Sequence, residues 1–157
     1  MKPFSPAEAL NKAAAYCTLC ERCTSEVSKK LTTWGVSPTE QQRIIDRLQE
    51  EGFINEERYC RAFVNDKIRF NRWGKVKITA ALYEKRLPRE YIAQAIEEID
   101  EEVYMHTLRD LVATKQKELK GDDFATKQKI IRFAASRGFE HAKILQIIKC
   151  DSYEMDI

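Results

Sequence analysis

The chain has 157 residues, of which 43% are hydrophobic and 33% are charged, and its formal net charge is +2 at pH 7. This composition is sufficient for a packed core, while five Gly and four Pro leave little provision for the turns of a sheet protein. No apolar run approaches the roughly 20 residues needed to span a bilayer, and the first residues lack the apolar segment of a secretory signal. We therefore expect a cytoplasmic protein.

Start and stop signals divide the chain into nine predicted helices. Ser5 and Ser37 each precede a Pro, and a Glu follows three residues after each Ser, which is the pattern of a capping box with Pro in the first turn. Gly52 marks a helix end, and Asn55 marks the next start. No segment shows sustained period-two alternation, so the pattern predicts an all-α fold. The predicted helices cover residues 6–22, 24–34, 38–51, 55–71, 75–86, 88–99, 101–120, 124–137 and 140–150.

Three of the five cysteines follow the spacing C-x-x-C-x-x-C at Cys17, Cys20 and Cys23. The spacing is similar to part of an iron–sulfur run, but a fourth ligand and the Pro that follows it are missing. The segment overlaps a helical pattern in which Cys17 and Cys20 take apolar places, so we interpret them as small core residues. Metal binding or redox sensing by the three thiols is the alternative.

The helix pattern repeats about every fifty residues, which is typical of tandem structural repeats. We expect the repeated apolar positions Leu31, Leu82, Ile45, Ile96 and Ile148 to be buried between helices. A unit that cannot close its own core packs on its neighbours, so the repeat predicts three tandem three-helix units that form an elongated curved array. The units cover residues 5–54, 55–99 and 100–150, and a frayed acidic tail follows at 151–157. The matched columns are Val27/Ile78/Ile130, Leu31/Leu82/Ala134, Val36/Leu87/Phe139 and Ile45/Ile96/Ile148.

Residue patterns typical of catalysis are missing from the sequence. There is no Gly-rich phosphate loop, no His pair at metal spacing and no nucleophile elbow. His106 and His141 are isolated on helices with charged neighbours. Adjacent Glu pairs point about 100° apart on a helix and so do not form facing carboxylates. We predict a protein that is not an enzyme and that uses no cofactor or metal.

The middle of the chain carries an excess of basic residues. Between Arg58 and Arg89 there are ten Lys and Arg but only two acids. Within this stretch, basic residues surround Phe70 and Trp73 at a junction between two predicted helices. Such a junction suits a phosphate backbone or an acidic protein groove, while the alternative is a solvated corner whose aromatics belong to the core. The predicted partner-binding residues are Arg69, Arg72, Lys75, Lys77, Lys85, Arg86 and Arg89.

A set of residues between Cys23 and Ile96 follows a distinctive order and separation. They are Glu26-Val27, Leu31, Gly35, Ile45, Leu48, Glu51-Gly52-Phe53-Ile54-Asn55-Glu56, Arg58-Tyr59-Cys60, Phe63-Val64, Gly74, Ile78, Leu82, Leu87, Ile92 and Ala95-Ile96. This order and separation resemble the RecX regulatory protein family, and the resemblance weakens in the third unit. It implies a bacterial modulator that binds in the groove of the RecA–single-stranded DNA filament and restrains recombinase activity in DNA repair, recombination and the SOS response.

Two positions depart from the family pattern. The usual Ser cap is Cys23 here, so Thr24 is predicted to cap that helix one residue later. The usual Lys-Gly is Lys85-Arg86, which puts the left-handed helix end in question.

The resemblance implies a RecA filament as the partner, and we expect a monomer with no membrane association. Whether single-stranded DNA is also contacted stays open. The alternative function is a direct nucleic-acid-binding protein built of tandem helix-turn-helix-like units. Against it, the second helices lack the Asn, Gln and Arg cluster of base readout.

Overall fold

The computed structural model describes the backbone of residues 4–155 and the side chains of residues 4–148. Over that range the chain forms nine α-helices and no strand, which confirms the all-α prediction. None of the helices in this part of the chain is long and apolar enough to cross a membrane. The helices are α1 (Pro6–Leu19), α2 (Thr24–Thr33), α3 (Pro38–Glu50), α4 (Glu56–Arg69), α5 (Lys75–Glu84), α6 (Arg89–Glu97), α7 (Glu101–Leu119), α8 (Phe124–Ser136) and α9 (His141–Met155).

Side-chain caps begin α1, α3 and α4 where the sequence predicts them. The hydroxyl oxygens of Ser5 and Ser37 each accept the amide N–H of the Glu three residues later. The Asn55 side chain accepts the amide N–H of Arg58 at 2.9 Å. Because the first amide groups of a helix have no acceptor inside the helix, each of these bonds satisfies a donor that the fold would otherwise leave unpaired.

The start of α2 corrects the prediction that Thr24 is its cap. Cys23 occupies the N-cap position, and α2 begins at Thr24. The Glu26 carboxylate accepts the amide N–H of Cys23 at 3.1 Å, which is one half of a capping box. The Thr24 hydroxyl is buried and makes no hydrogen bond in the structure. The Glu three residues after the cap thus fixes the start of α2.

Several helices end earlier than predicted because their last residues leave the helical conformation without a glycine. Cys20 has extended backbone angles, so α1 ends at Leu19 instead of Arg22. Lys120 is left-handed with φ 53°, so α7 ends at Leu119, one residue before its predicted end. Arg86 has φ 59°, so the left-handed end of α5 forms although the usual glycine is missing.

The last helix is longer than predicted. α9 continues past Cys150 to Met155, so most of the expected frayed tail is helical. No Gly or Pro lies between Phe139 and the end of the chain to stop the helix. Residues 156–157 of the predicted tail lie outside the described residues.

The first compact unit extends to Phe63 and includes Leu82–Ala95. α1, α2 and α3 pack against one another within it. Gln41 is a buried polar residue that links α3 to α2, because its amide donates to the Val36 carbonyl and accepts from the Ser28 hydroxyl. A continuous apolar cluster fills the space between these helices. Its buried members are Ala9, Ala13, Cys17, Val27, Leu31, Val36, Ile44, Ile45, Leu48 and Ile54.

The second compact unit comprises Val64–Ala81 and the chain from Ile96 onward. It contains α7, α8 and α9, which pack against one another. It also contains the connection between α4 and α5. Its buried residues are Val64, Ile68, Ile78, Tyr104, Leu108, Leu111, Val112, Ile130, Ala134, Phe139, Ile144 and Ile148.

Burial confirms four of the five repeat positions that were expected between helices. Leu31, Leu82, Ile45 and Ile148 are buried. Ile96 is only partly buried, so that prediction is wrong. α6 is a nine-residue helix whose buried positions are Ile92 and Ala95, and the neighbouring position of a helix points about 100° away from a buried one.

Replacing Leu82 by Ala is expected to lower the free energy of unfolding by about 2–5 kcal/mol, through lost burial and the cavity that remains. Leu82 is completely buried in the first compact unit, whereas its neighbour Tyr83 is 48% exposed. Urea unfolding followed by circular dichroism measures the change, with Tyr83→Ala as the matched control. Equal and small losses of unfolding free energy in the two variants would contradict the helix register that buries Leu82 and exposes Tyr83.

Candidate partner-binding site

The basic junction lies in the second compact unit, where the chain turns from α4 into α5. We call residues 67–77 the basic corner: the last turn of α4, a short connection and the first turn of α5. Arg72 adopts a left-handed conformation with φ 53°, and this makes the turn. The amide of Trp73 donates to the Lys67 carbonyl at 3.0 Å, which closes the end of α4.

The first turn of α5 has no side-chain cap of the Ser, Asp or Asn kind. Instead, three successive amide groups at its start donate to groups of the second compact unit. These amides have no acceptor inside the helix. Acceptors on α7 and on the α8–α9 connection therefore take the place of a cap. The bonds run from Gly74 N to Arg137 O (2.7 Å), from Lys75 N to the Tyr104 hydroxyl (2.9 Å) and from Val76 N to Gly138 O (3.0 Å).

These bonds require the two backbones to approach each other closely. A Cβ atom at Gly74 would lie 2.3 Å from the carbonyl carbon of Gly138. A Cβ atom at Gly138 would lie 2.4 Å from the Cβ of Lys77, and Gly138 also has φ +96°. Only glycine fits at either position, since the atoms that a side chain would meet belong mostly to the backbone.

A partly buried polar cluster lies beside the start of α5. The Tyr104 hydroxyl accepts the amide of Lys75 and donates to the Glu140 carboxylate. Burial, together with the hydrogen bond to Glu140, raises the pKa of Tyr104. The Lys75 ammonium lies 3.6 Å from a Glu101 carboxylate oxygen and 4.7 Å from the centre of the Tyr104 ring. The hydrogen bond from Lys143 holds the pKa of the Glu101 carboxyl below its usual range, helped by the charge of Lys75.

This cluster changes the interpretation of Lys75. The sequence places it among the partner-binding cations, whereas in the structure its ammonium is paired with Glu101 and covers an aromatic ring. A paired ammonium contributes less to the field outside the protein than an isolated one does.

The other three basic residues predicted in this segment lie on the basic corner as expected. Arg69 is exposed at the end of α4, and its guanidinium carbon lies 5.6 Å from the centre of the Phe70 ring. Arg72 is half-buried and donates to a threonine hydroxyl of α7 at 3.4 Å. The Lys77 ammonium lies 4.5 Å from the centre of the Trp73 ring.

Lys85, Arg86 and Arg89 belong to the first compact unit, away from the segment that forms the basic corner in sequence. The Lys85 ammonium lies 3.1 Å from a carboxylate oxygen of Glu26. Burial acts to raise the pKa of Glu26, but hydrogen bonds from Cys23 and Lys85 outweigh it and lower that pKa. Lys85 therefore stabilises its own unit. Arg86 and Arg89 are exposed.

Sequence reasoning missed three basic residues of the second unit that lie against aromatic rings. Lys67 belongs to the same basic run, and its ammonium lies 4.7 Å from the centre of the Trp73 ring. Lys115 and Arg137 approach the centre of the Phe133 ring to 4.6 and 5.0 Å. Lys67 could have been found by extending the basic segment one residue. Lys115 lies on α7 and meets the Phe133 ring only in the folded unit, and Arg137 follows the end of α8.

The cysteines of the described residues differ in their burial. Cys17, Cys23 and Cys60 are buried, while Cys20 is exposed at the end of α1, so the apolar place expected for Cys20 is wrong. Burial raises the pKa of the Cys17 and Cys23 thiols, and it raises the pKa of Cys60 to about 11. A raised pKa disfavours the thiolate, which is the reactive form of cysteine. In the described part of the chain, no three His, Cys, Asp or Glu residues are grouped to hold a metal ion.

Family models of three successive three-helix domains match this chain in the same order. The model of the first three-helix domain of RecX matches residues 9–48. The model of the second three-helix domain matches residues 55–96, and that of the third matches residues 102–148. The third domain is therefore matched although its sequence resemblance is weak.

Individual relatives agree with the family models. The chain is 29% identical over 119 residues to the regulatory protein RecX of Clostridium perfringens, a match over 74% of this chain but only 55% of that protein. It is 26% identical to the RecX of a Mycobacterium species, over 93% of this chain and 85% of that protein. The crystal structure of RecX from Lactobacillus salivarius superposes with a TM-score of 0.79 at 20% identity, covering 92% and 94% of the two chains.

Proposed function

Because this chain belongs to the RecX family of regulatory proteins, we propose that it is a non-enzymatic regulator of the RecA recombinase. It binds the filament that RecA forms on single-stranded DNA and restrains the activities of that filament. With this partner, the protein acts in the cytoplasm, in DNA repair, recombination and the SOS response.

The observation that best supports this proposal is the construction of the basic corner. Three amide bonds and a glycine-to-glycine contact hold the corner against the rest of its unit. Arg69, Arg72 and Lys77 are thereby presented on a firmly held backbone, so little conformational entropy is lost when a partner binds. A RecA filament offers the same groove again at each protomer, which suits a chain built of repeated domains.

A binding titration at constant salt tests the proposed function. Fluorescently labelled protein is titrated with RecA filaments assembled on single-stranded DNA, and separately with the same DNA without RecA. We expect the dissociation constant for the filament to be at least about tenfold lower than that for naked DNA, because charge complementarity to a protein partner adds specificity. Equal affinity for both would support the alternative of a direct nucleic-acid-binding protein.

A further inference from the structure

Two apolar side chains stand exposed within the basic corner. Phe70 is 74% exposed and Val76 is 60% exposed, although both lie among basic residues. Single exposed apolar residues are common on protein surfaces. Here two of them lie within seven residues of one connection that also carries several cations, and this combination makes the connection a candidate interaction surface.

The backbone around these side chains is fixed on both sides of the turn. The Phe70 amide donates to the Asp66 carbonyl at 2.8 Å, and the Val76 amide donates to the Gly138 carbonyl at 3.0 Å. The backbone that carries each side chain is therefore held by the structure of its own unit. A backbone that is already held in position loses less entropy on docking.

The aromatic rings of this region favour a protein partner over a nucleic acid. Proteins that bind single strands stack bases on open aromatic faces. Trp73, however, already has the ammonium groups of Lys67 and Lys77 within 4.7 and 4.5 Å of its ring centre. Phe70 is then the single open ring of the basic corner and Val76 has no aromatic face, so this segment offers no series of rings on which successive bases could stack. Centres of protein interfaces, by contrast, are built from an apolar or aromatic anchor with Arg beside it and a polar rim.

We propose that Phe70 and Val76 are the apolar anchor of the basic corner and that they insert into an apolar pocket rimmed by carboxylates on the protein partner. Arg69 and Arg72 flank the anchor and pair with that rim. The proposal rests on the proposed function, for which it specifies the chemistry of the surface that the filament presents.

Substitution of the two anchors tests this proposal without altering charge. Phe70→Ser and Val76→Thr are expected to raise the dissociation constant for the RecA filament by about tenfold and about threefold, as truncation of an interface anchor does. Phe124→Ser is the matched control, because Phe124 is 66% exposed in the same unit but lies at the start of α8. We expect the control to change the constant by less than about twofold, as for an exposed side chain outside the anchor. Circular dichroism verifies that all three variants are folded.

The possible outcomes separate this proposal from the proposed function. If the wild-type protein fails to bind filaments, the proposed function is wrong and the anchor has no partner. If the wild type binds and Phe70→Ser binds equally well, the anchor proposal alone is wrong. An equal loss of affinity for filament and for naked single-stranded DNA would identify nucleic acid as the occupant and would also overturn the proposal.

Discussion

Replacing Gly74 by Ala is expected to lower the free energy of unfolding of the second compact unit by about 3 kcal/mol or more, which is at the high end for a single substitution. The added Cβ would lie 2.3–2.4 Å from three backbone atoms of Gly138 and Phe139. Those atoms cannot move aside as a flexible side chain can. The first turn of α5 would have to separate from the α8–α9 connection, and its amide donors would then lose their acceptors.

Hydrogen exchange measured by mass spectrometry, together with urea unfolding, checks this prediction. We expect amides 74–78 and 137–144 to lose protection in Gly74→Ala. Gly52→Ala is the control, because Gly52 also has a positive φ of 79° but its added Cβ would have open space within 4 Å. That control should lose only the roughly 1–2 kcal/mol of a left-handed residue. A smaller loss for Gly74→Ala than for Gly52→Ala would refute the close backbone contact.

Reversing two charges of the basic corner is expected to weaken filament binding by at least about tenfold. The variant is Arg69→Glu with Arg72→Glu. Lys75 is left unchanged because it is paired with Glu101 inside the unit, so its reversal would disturb the fold. Arg69 is exposed, so its reversal should cost little stability, usually within about 0.5 kcal/mol. Fluorescence anisotropy against assembled filaments measures the affinity, and wild-type binding should weaken with added salt through screening.

The matched control reverses two charges on the other compact unit. Arg43 and Arg47 are exposed on α3, and each pairs only with a nearby Glu of its own helix or helix end. Arg43→Glu with Arg47→Glu therefore changes the net charge of the protein by the same amount. We expect this control to retain most of the wild-type affinity. Equal weakening by both double variants would mean that net charge, and not the basic corner, determines binding.

Local sequence signals were enough to predict the helices of this protein. The Ser-Pro caps depend on residues near one another in sequence, and the column of Val27, Ile78 and Ile130 repeats at a nearly constant spacing, so pattern reasoning could find both. Left-handed helix ends were harder, since Arg86 and Lys120 take that conformation without being glycine. At those positions the residue type itself gives no signal for a left-handed helix end.

The candidate site could be predicted only in part. The basic segment and its aromatics were visible in the sequence, whereas the pairing of Lys75 with Glu101 was not, because the two residues meet only in the folded unit. The same holds for Gly74 and Gly138. Both lie between predicted helices, but their contact joins segments more than sixty residues apart and leaves no local signal.

The most direct test of the account is the rate of RecA-dependent ATP hydrolysis on single-stranded DNA, measured as this protein is added at increasing ratios to RecA. We predict that the rate falls while the protein is well below one copy per RecA protomer, and that Arg69→Glu with Arg72→Glu requires a much higher ratio. A rate that is unchanged at every ratio, or one that falls only when the DNA itself becomes saturated, would contradict regulation through the filament.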